Sequence, residues 1–138
     1  LQAAGRSSEA LAAANEIIER WDARPAGYLA RGAIRRDAGD VSGALSDFSR
    51  ASDLAPTAPR GRMFQGQVLL QQKRWADAER VLESGLERPG AAPPLSYFGM
   101  LLQAKARRGA NGAEIRATLA RARAVHGDAA DSLVRTRR

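Results

Sequence analysis

The amino-acid sequence predicts an all-α fold assembled from a repeated pair of helices, and three observations carry that reading. Alanine is abundant, aromatic residues make up 5% of the 138 positions and only six prolines punctuate the chain. Sheets need β-branched and aromatic side chains for their pleated surfaces, so this mixture favours helices. No apolar run approaches the ~20 residues that a membrane-spanning helix requires. The strongest observation is periodic. Pro25, Pro59 and Pro93 are separated by 34 and 34 residues, and Ala10, Ala44 and Ala78 take the same step, as do Gly5 with Gly39 and Gly32 with Gly66. A period of that length is too long for a heptad and too short for a domain, which leaves a repeated supersecondary unit.

The elements follow in order. A first helix is expected over 8–20. Pro25 suits the first turn of a second, over 25–37, because its missing N–H would be unpaired there anyway. That helix carries Tyr28, Gly32 and Arg36 and stops near Gly39. Asp40 can cap a third over 41–54, with Ala44, Leu45, Phe48, Ala51 and Leu54 on one face and Pro56 beyond its end. Helices over 59–72 and 75–88 repeat the pair, and two more are expected over 94–108 and 112–126. The last of these follows the turn "RGANGAE", where Asn111 and Glu114 have capping-box spacing. A short helix around 129–136 can lay Leu133 and Val134 over the final apolar edge. Ala44 and Ala78 allow close helix approach, and Phe48 fills the gap one turn later.

The pattern resembles the tetratricopeptide repeat, whose signature runs W-x2-L-G-x2-Y, then A-x3-F, then a closing proline. Residues 25–58 place Tyr28, Arg31, Gly32, Arg35, Ala44, Phe48 and Pro56 at the matching positions. Residues 59–92 place Arg62, Gln65, Gly66, Leu69, Ala78 and Leu82 there, with Gly90 in place of the proline. The third unit offers Leu95, Phe98, Gly99 and Leu102, shifted back by one residue, and residues 8–21 match only the second helix of a unit. The resemblance implies a right-handed α-solenoid of stacked antiparallel helix pairs, a tetratricopeptide-like superhelix. It implies a single domain over 1–138: half a repeat in 1–24, repeats 25–58, 59–92 and 93–126, and a capping segment 127–138. The chain begins at Leu1 and halfway through a repeat, so it reads as a segment of a longer protein. The compartment stays open between cytoplasm and periplasm.

Arg31 and Arg35 depart from the signature, standing where the family puts leucine and an aromatic. They lie one turn apart on one face. Their stems can cover neighbouring alanines while the guanidinium groups reach water or a carboxylate, with Glu16 and Glu19 as candidates. An anion-binding arginine pair is the alternative.

Catalytic constellations are not found. With no cysteine and with His126 as the sole histidine, neither zinc-ligand spacing nor a Cys–His nucleophile can be assembled. His126 adjoins Gly127 at a helix end and reads as a capping or exposed side chain. Asp37, Asp40 and Asp47 match no metal loop and read as caps and solvated charges. No phosphate-cradling glycine motif appears, and Trp21 and Trp75 read as packed between helices. The chain is therefore expected to be no enzyme, with no catalytic residue, no metal and no cofactor.

What remains is a surface. In the family, ligands are commonly gripped by residues on the first helix of each pair, lining a concave face. Carried over by position, that face holds Leu29, Ala33 and Arg36, then Arg60, Met63, Phe64, Gln67 and Gln71, then Tyr97, Met100 and Gln103. The family's carboxylate-clamping variety needs lysine and asparagine where Leu29 and Ala33 stand, which argues against a chaperone-tail adaptor. The resemblance implies a non-catalytic interaction module or scaffold for a protein or peptide, or for other domains of its own chain. The alternative is a docking or spacer arm of a larger bacterial enzyme or of a polysaccharide-export or secretion protein. Polyanion or nucleic-acid binding ranks last. The net charge is +7, but the basic residues are nearly all arginine, with lysine only at Lys73 and Lys105, a bias that GC-rich coding produces. The arginines are scattered, and no aromatic-rich single-strand motif accompanies them.

Overall fold

The computed structural model describes residues 2–135, and every regular element among them is helical. The helices are α1 (Gln2–Arg20), α2 (Pro25–Asp37), α3 (Val41–Leu54), α4 (Arg60–Gln71), α5 (Trp75–Ser84), α6 (Leu95–Arg107) and α7 (Gly112–His126). A 3-10 turn, Gly127–Asp131, then leads into the short α8, Ser132–Arg135. Three helices, α2, α3 and α7, have the bounds expected from sequence. Helix α1 starts earlier than residue 8, because an alanine-rich stretch carries only Gly5 against helix propensity. Helix α5 ends earlier than residue 88: Gly85 takes the C-cap and the Ser84 hydroxyl donates to the Val81 carbonyl. The turn and α8 fall where a final short helix was expected; residue 136, at the end of that span, lies outside the described residues.

Two predicted caps form. The Asp40 carboxylate accepts from the Gly43 N–H at 2.9 Å, and Asn111 with Glu114 makes a complete capping box.

The chain divides into two compact units, Leu1–Val68 and Leu69–Arg138, with the division inside α4. In unit 1 the core is Ala44, Phe48 and Val68, with Leu29, Val41, Leu45 and Phe64 packed against it. Gly32 faces Phe48 so closely that a Cβ there would stand 2.5 Å from a ring carbon. The signature glycine is thus the notch that receives the signature aromatic.

In unit 2 one cluster gathers Phe98, Ala122 and Ala130, with Leu86, Leu95 and Leu133 packed around it. Ala78 and Leu82 are fully buried, as Ala44 and Phe48 are in unit 1. His126 is half-buried here: its Nε2 lies 2.8 Å from the Pro93 carbonyl, to which it donates, and its ring meets the edge of Phe98. It therefore packs onto the start of α6 and is not a freely exposed cap. Trp75 is half-buried with the Arg107 guanidinium 5.7 Å from its ring centre. Trp21 corrects the expectation of packing between helices, since it is 44% exposed and carries Arg24 at 5.8 Å.

Candidate functional site

The surface expected from sequence begins on α2 and α4 of unit 1. Phe64 is half-buried, its ring stacked on Phe48 at 5.1 Å and 20°. Offset-stacked rings at such a separation add stabilisation beyond their area. Two guanidinium groups approach the same ring, Arg36 from α2 and Arg60 from α4, each 5.9 Å from its centre. Leu29 packs against the same core, so one assembly brings together Leu29, Arg36, Arg60 and Phe64. Ala33 and Met63 are half-buried and Gln67 is exposed.

Beside this assembly lies a cleft of about 210 Å³, lined by Pro25, Ala26 and Leu29 of α2, Ala51 and Ala55 at the end of α3, and Ala58, Arg60 and Gly61. The geometry follows from small residues. Where the end of α3 lines the cleft it offers only the methyl groups of Ala51 and Ala55, and Gly61 sits so close to Ser52 that a Cβ would touch its hydroxyl and stand 3.0 Å from its backbone nitrogen. Sequence reading assigned Ala51 to a packing face and did not single out Ala55 or Ala58. The signal was the spaced alanines Ala51, Ala55 and Ala58 at and after the α3 terminus, where missing side-chain volume leaves a gap.

In unit 2, Gln71 and Gln103 are exposed and Met100 is half-buried. Tyr97 requires a correction. It is 1% exposed, and its hydroxyl donates to the Leu82 carbonyl at 2.6 Å. Its phenol belongs to the packing between α5 and α6, so it offers no surface to a ligand.

The arginine pair of α2 also resolves. Arg31 grips Asp47 of α3 with both Nε and Nη2, at 3.0 and 2.7 Å, and Arg35 donates to the same carboxylate at 3.0 Å. The Asp47 side chain is only 3% exposed, whereas those of Arg31 and Arg35 are 21% and 32% exposed. The hydrogen bonding that Arg31 donates to Asp47 raises its guanidinium above the ordinary value, although burial opposes it. Asp47 is therefore neither a cap nor a solvated charge. It replaces Glu16 and Glu19 as the partner of both arginines, and Asn15 takes the remaining Arg31 nitrogen at 3.1 Å. These two arginines are already occupied within unit 1.

Unit 2 carries a different network. Glu83 of α5 is held by Lys105 of α6 at 2.8 Å and by Arg121 of α7 at 2.9 Å, and Glu79 by Arg108 through two bonds of 2.6 and 2.9 Å. Burial, the largest single influence on Glu83, pushes its carboxyl up, but the hydrogen bonds from Lys105 and Arg121 outweigh it and the net shift is downward. Glu79 holds Arg108 above the ordinary arginine range.

Among the described residues, no group of three or more histidine, cysteine or acidic side chains could hold a metal ion, and no helix is long and apolar enough to cross a membrane. Paired helices with alanine crossings, glycine notches and an open side-chain surface define a helical-repeat protein. The family model for the tetratricopeptide repeat matches residues 1–59 and again residues 29–94, and the chain belongs to that family. Repeats of this kind generally mediate protein–protein interaction. A search of curated proteins found no match.

Proposed function

We propose that the chain is a non-catalytic interaction module that binds a peptide segment or partner domain on the face formed by the first helices of its pairs. The observation that supports this reading is the unit 1 assembly. A half-buried phenylalanine is held by a buried one while two arginines converge on it. Aromatic anchors with flanking arginines are the usual carriers of interface energy. Met63, one position before Phe64 and half-buried, adds adaptable apolar surface, and the exposed Gln67 adds hydrogen-bonding capacity. For unit 2, taken by itself, the residues proposed are Gln71, Met100 and Gln103, and Tyr97 is removed.

Panning a peptide-display library on the parent protein tests the reading, with a Met63→Glu, Gln67→Ala variant as the discriminating bait. Enriched peptides should bind the parent at least about tenfold tighter than the variant, while the two melt within a few degrees of each other. Peptides that bind both equally would place the interaction elsewhere.

A further inference from the structure

Unit 1 presents an imbalance of charge around an apolar cleft. Helices α2 and α4 together carry five arginines, Arg31, Arg35, Arg36, Arg60 and Arg62, and one carboxylate, Asp37. Arg31 and Arg35 are occupied by Asp47, and Arg62 donates to the Pro56 carbonyl. Besides the Phe64 ring, Arg36 pairs among the described residues only with its neighbour Asp37, at 3.2 Å, and that carboxylate is 73% exposed. Such a surface pair is worth little. Arg60 is exposed and has no carboxylate partner among the described residues; its recorded contact is the Phe64 ring. Two guanidinium groups close to one ring are thus available to an anion, and bidentate geometry suits them to carboxylates.

Arg60 also forms part of the rim of the cleft with Ala58, above a floor of Leu29, Ala51 and Ala55. At about 210 Å³ the cleft is smaller than the ~300 Å³ at which sites for whole small molecules begin, and it suits one branched aliphatic side chain. From this juxtaposition we infer that unit 1 recognises an acidic peptide segment, seating one aliphatic side chain in the cleft and its flanking carboxylates on Arg60 and Arg36. The inference rests on the interaction-module reading and narrows it to one ligand chemistry. Carboxylates supply orientation and encounter rate, while the buried side chain supplies affinity.

The test uses the whole chain and fluorescein-labelled peptides read by anisotropy. Three peptides share their flanks and differ at the centre: Asp-Glu-Leu-Asp-Glu, Asp-Glu-Ser-Asp-Glu and Lys-Lys-Leu-Lys-Lys. The first should bind at least about tenfold tighter than either of the others, since burying a leucine side chain and pairing its flanks each contribute on that scale. Arg60→Glu and Arg36→Glu should each weaken it about tenfold, and Arg88→Glu, an exposed position in unit 2, should leave it unchanged. Ala58→Leu, which plugs the cleft from an exposed position, should reduce the leucine peptide to the level of the serine peptide. Equal binding of acidic and basic peptides overturns the inference. So does equal weakening by Arg88→Glu, which would mean net charge alone, or full competition by a single-stranded oligonucleotide, which would mean a polyanion surface. If display selects neutral or basic peptides that depend on Met63, the inference fails while the interaction module stands. If display selects nothing, both fail together.

Discussion

In unit 1 the place of the signature aromatic is filled by Phe48, and the carboxylate beside it, Asp47, is buried and shared by two arginines. In unit 2 the same place, one repeat later, is filled by Leu82, and the aromatic volume comes from Tyr97 and Phe98 on α6. The residues one period after Arg31, Arg35 and Asp47 are Gln65, Leu69 and Val81. An ionic cluster and a largely apolar set thus occupy equivalent sequence positions. Unit 2 places its charges in a ladder from α5 to α6 and α7, with Glu83 partly exposed. The repeat constrains the small residues at the crossings, and the larger partners are exchangeable as long as volume and charge are balanced locally.

The comparison breaks most visibly at its aromatic. Phe48→Ala should cost roughly 3–5 kcal/mol, since it opens a cavity and strips Phe64 of its stacking partner. Leu82→Ala should cost roughly 2–5 kcal/mol and also disturb the carbonyl that Tyr97 uses. Urea unfolding of each variant checks the order. A Phe48→Ala variant as stable as the parent would show that the unit 1 core is not where the stability lies.

A smaller effect sharpens the charge contrast. Asp47→Ala leaves two arginines without their shared acceptor, at about 2–3 kcal/mol, because both guanidinium groups still reach water. The triple variant Arg31→Gln, Arg35→Leu, Asp47→Val transplants the residues found one period later. It should recover to within about 1 kcal/mol of the parent, since apolar replacement of a buried ion cluster is often near neutral. Recovery would establish that the two solutions are interchangeable, and a triple variant as unstable as Asp47→Ala would establish that they are not.

The smallest effect concerns acid. Glu83 is shifted below its ordinary value, so the stability it contributes is present above about pH 4.3 and lost as pH falls through its lower folded-state value. Glu83→Gln should cost less than about 1 kcal/mol at neutral pH and make stability flatter with pH below that point. Thermal melts from pH 6 down to pH 3 read both quantities.

Much of the fold was legible because its determinants are local and repeated. Pro25, Asp40 and Asn111 announce helix starts by their own chemistry, and Ala44, Phe48 and Ala78 identify themselves by spacing. The errors lie where a partner is distant in sequence. Asp47 looked like a solvated charge because nothing local shows that Arg31, 16 residues earlier, closes over it. Tyr97 was placed by helix position, but its burial depends on a carbonyl 15 residues away. The cleft was invisible for a related reason: it is made by side chains that are absent, and alanine at Ala51, Ala55 and Ala58 reads equally well as helix propensity.

The two tryptophans have an optical consequence. Trp21 lies in unit 1 in contact with water, and Trp75 lies in unit 2, half withdrawn beneath Arg107. Each unit therefore carries one tryptophan in a different medium, and the first should emit to the red of the second. The colour of the emission, followed during unfolding, separates the loosening of one unit from that of the other without an added dye.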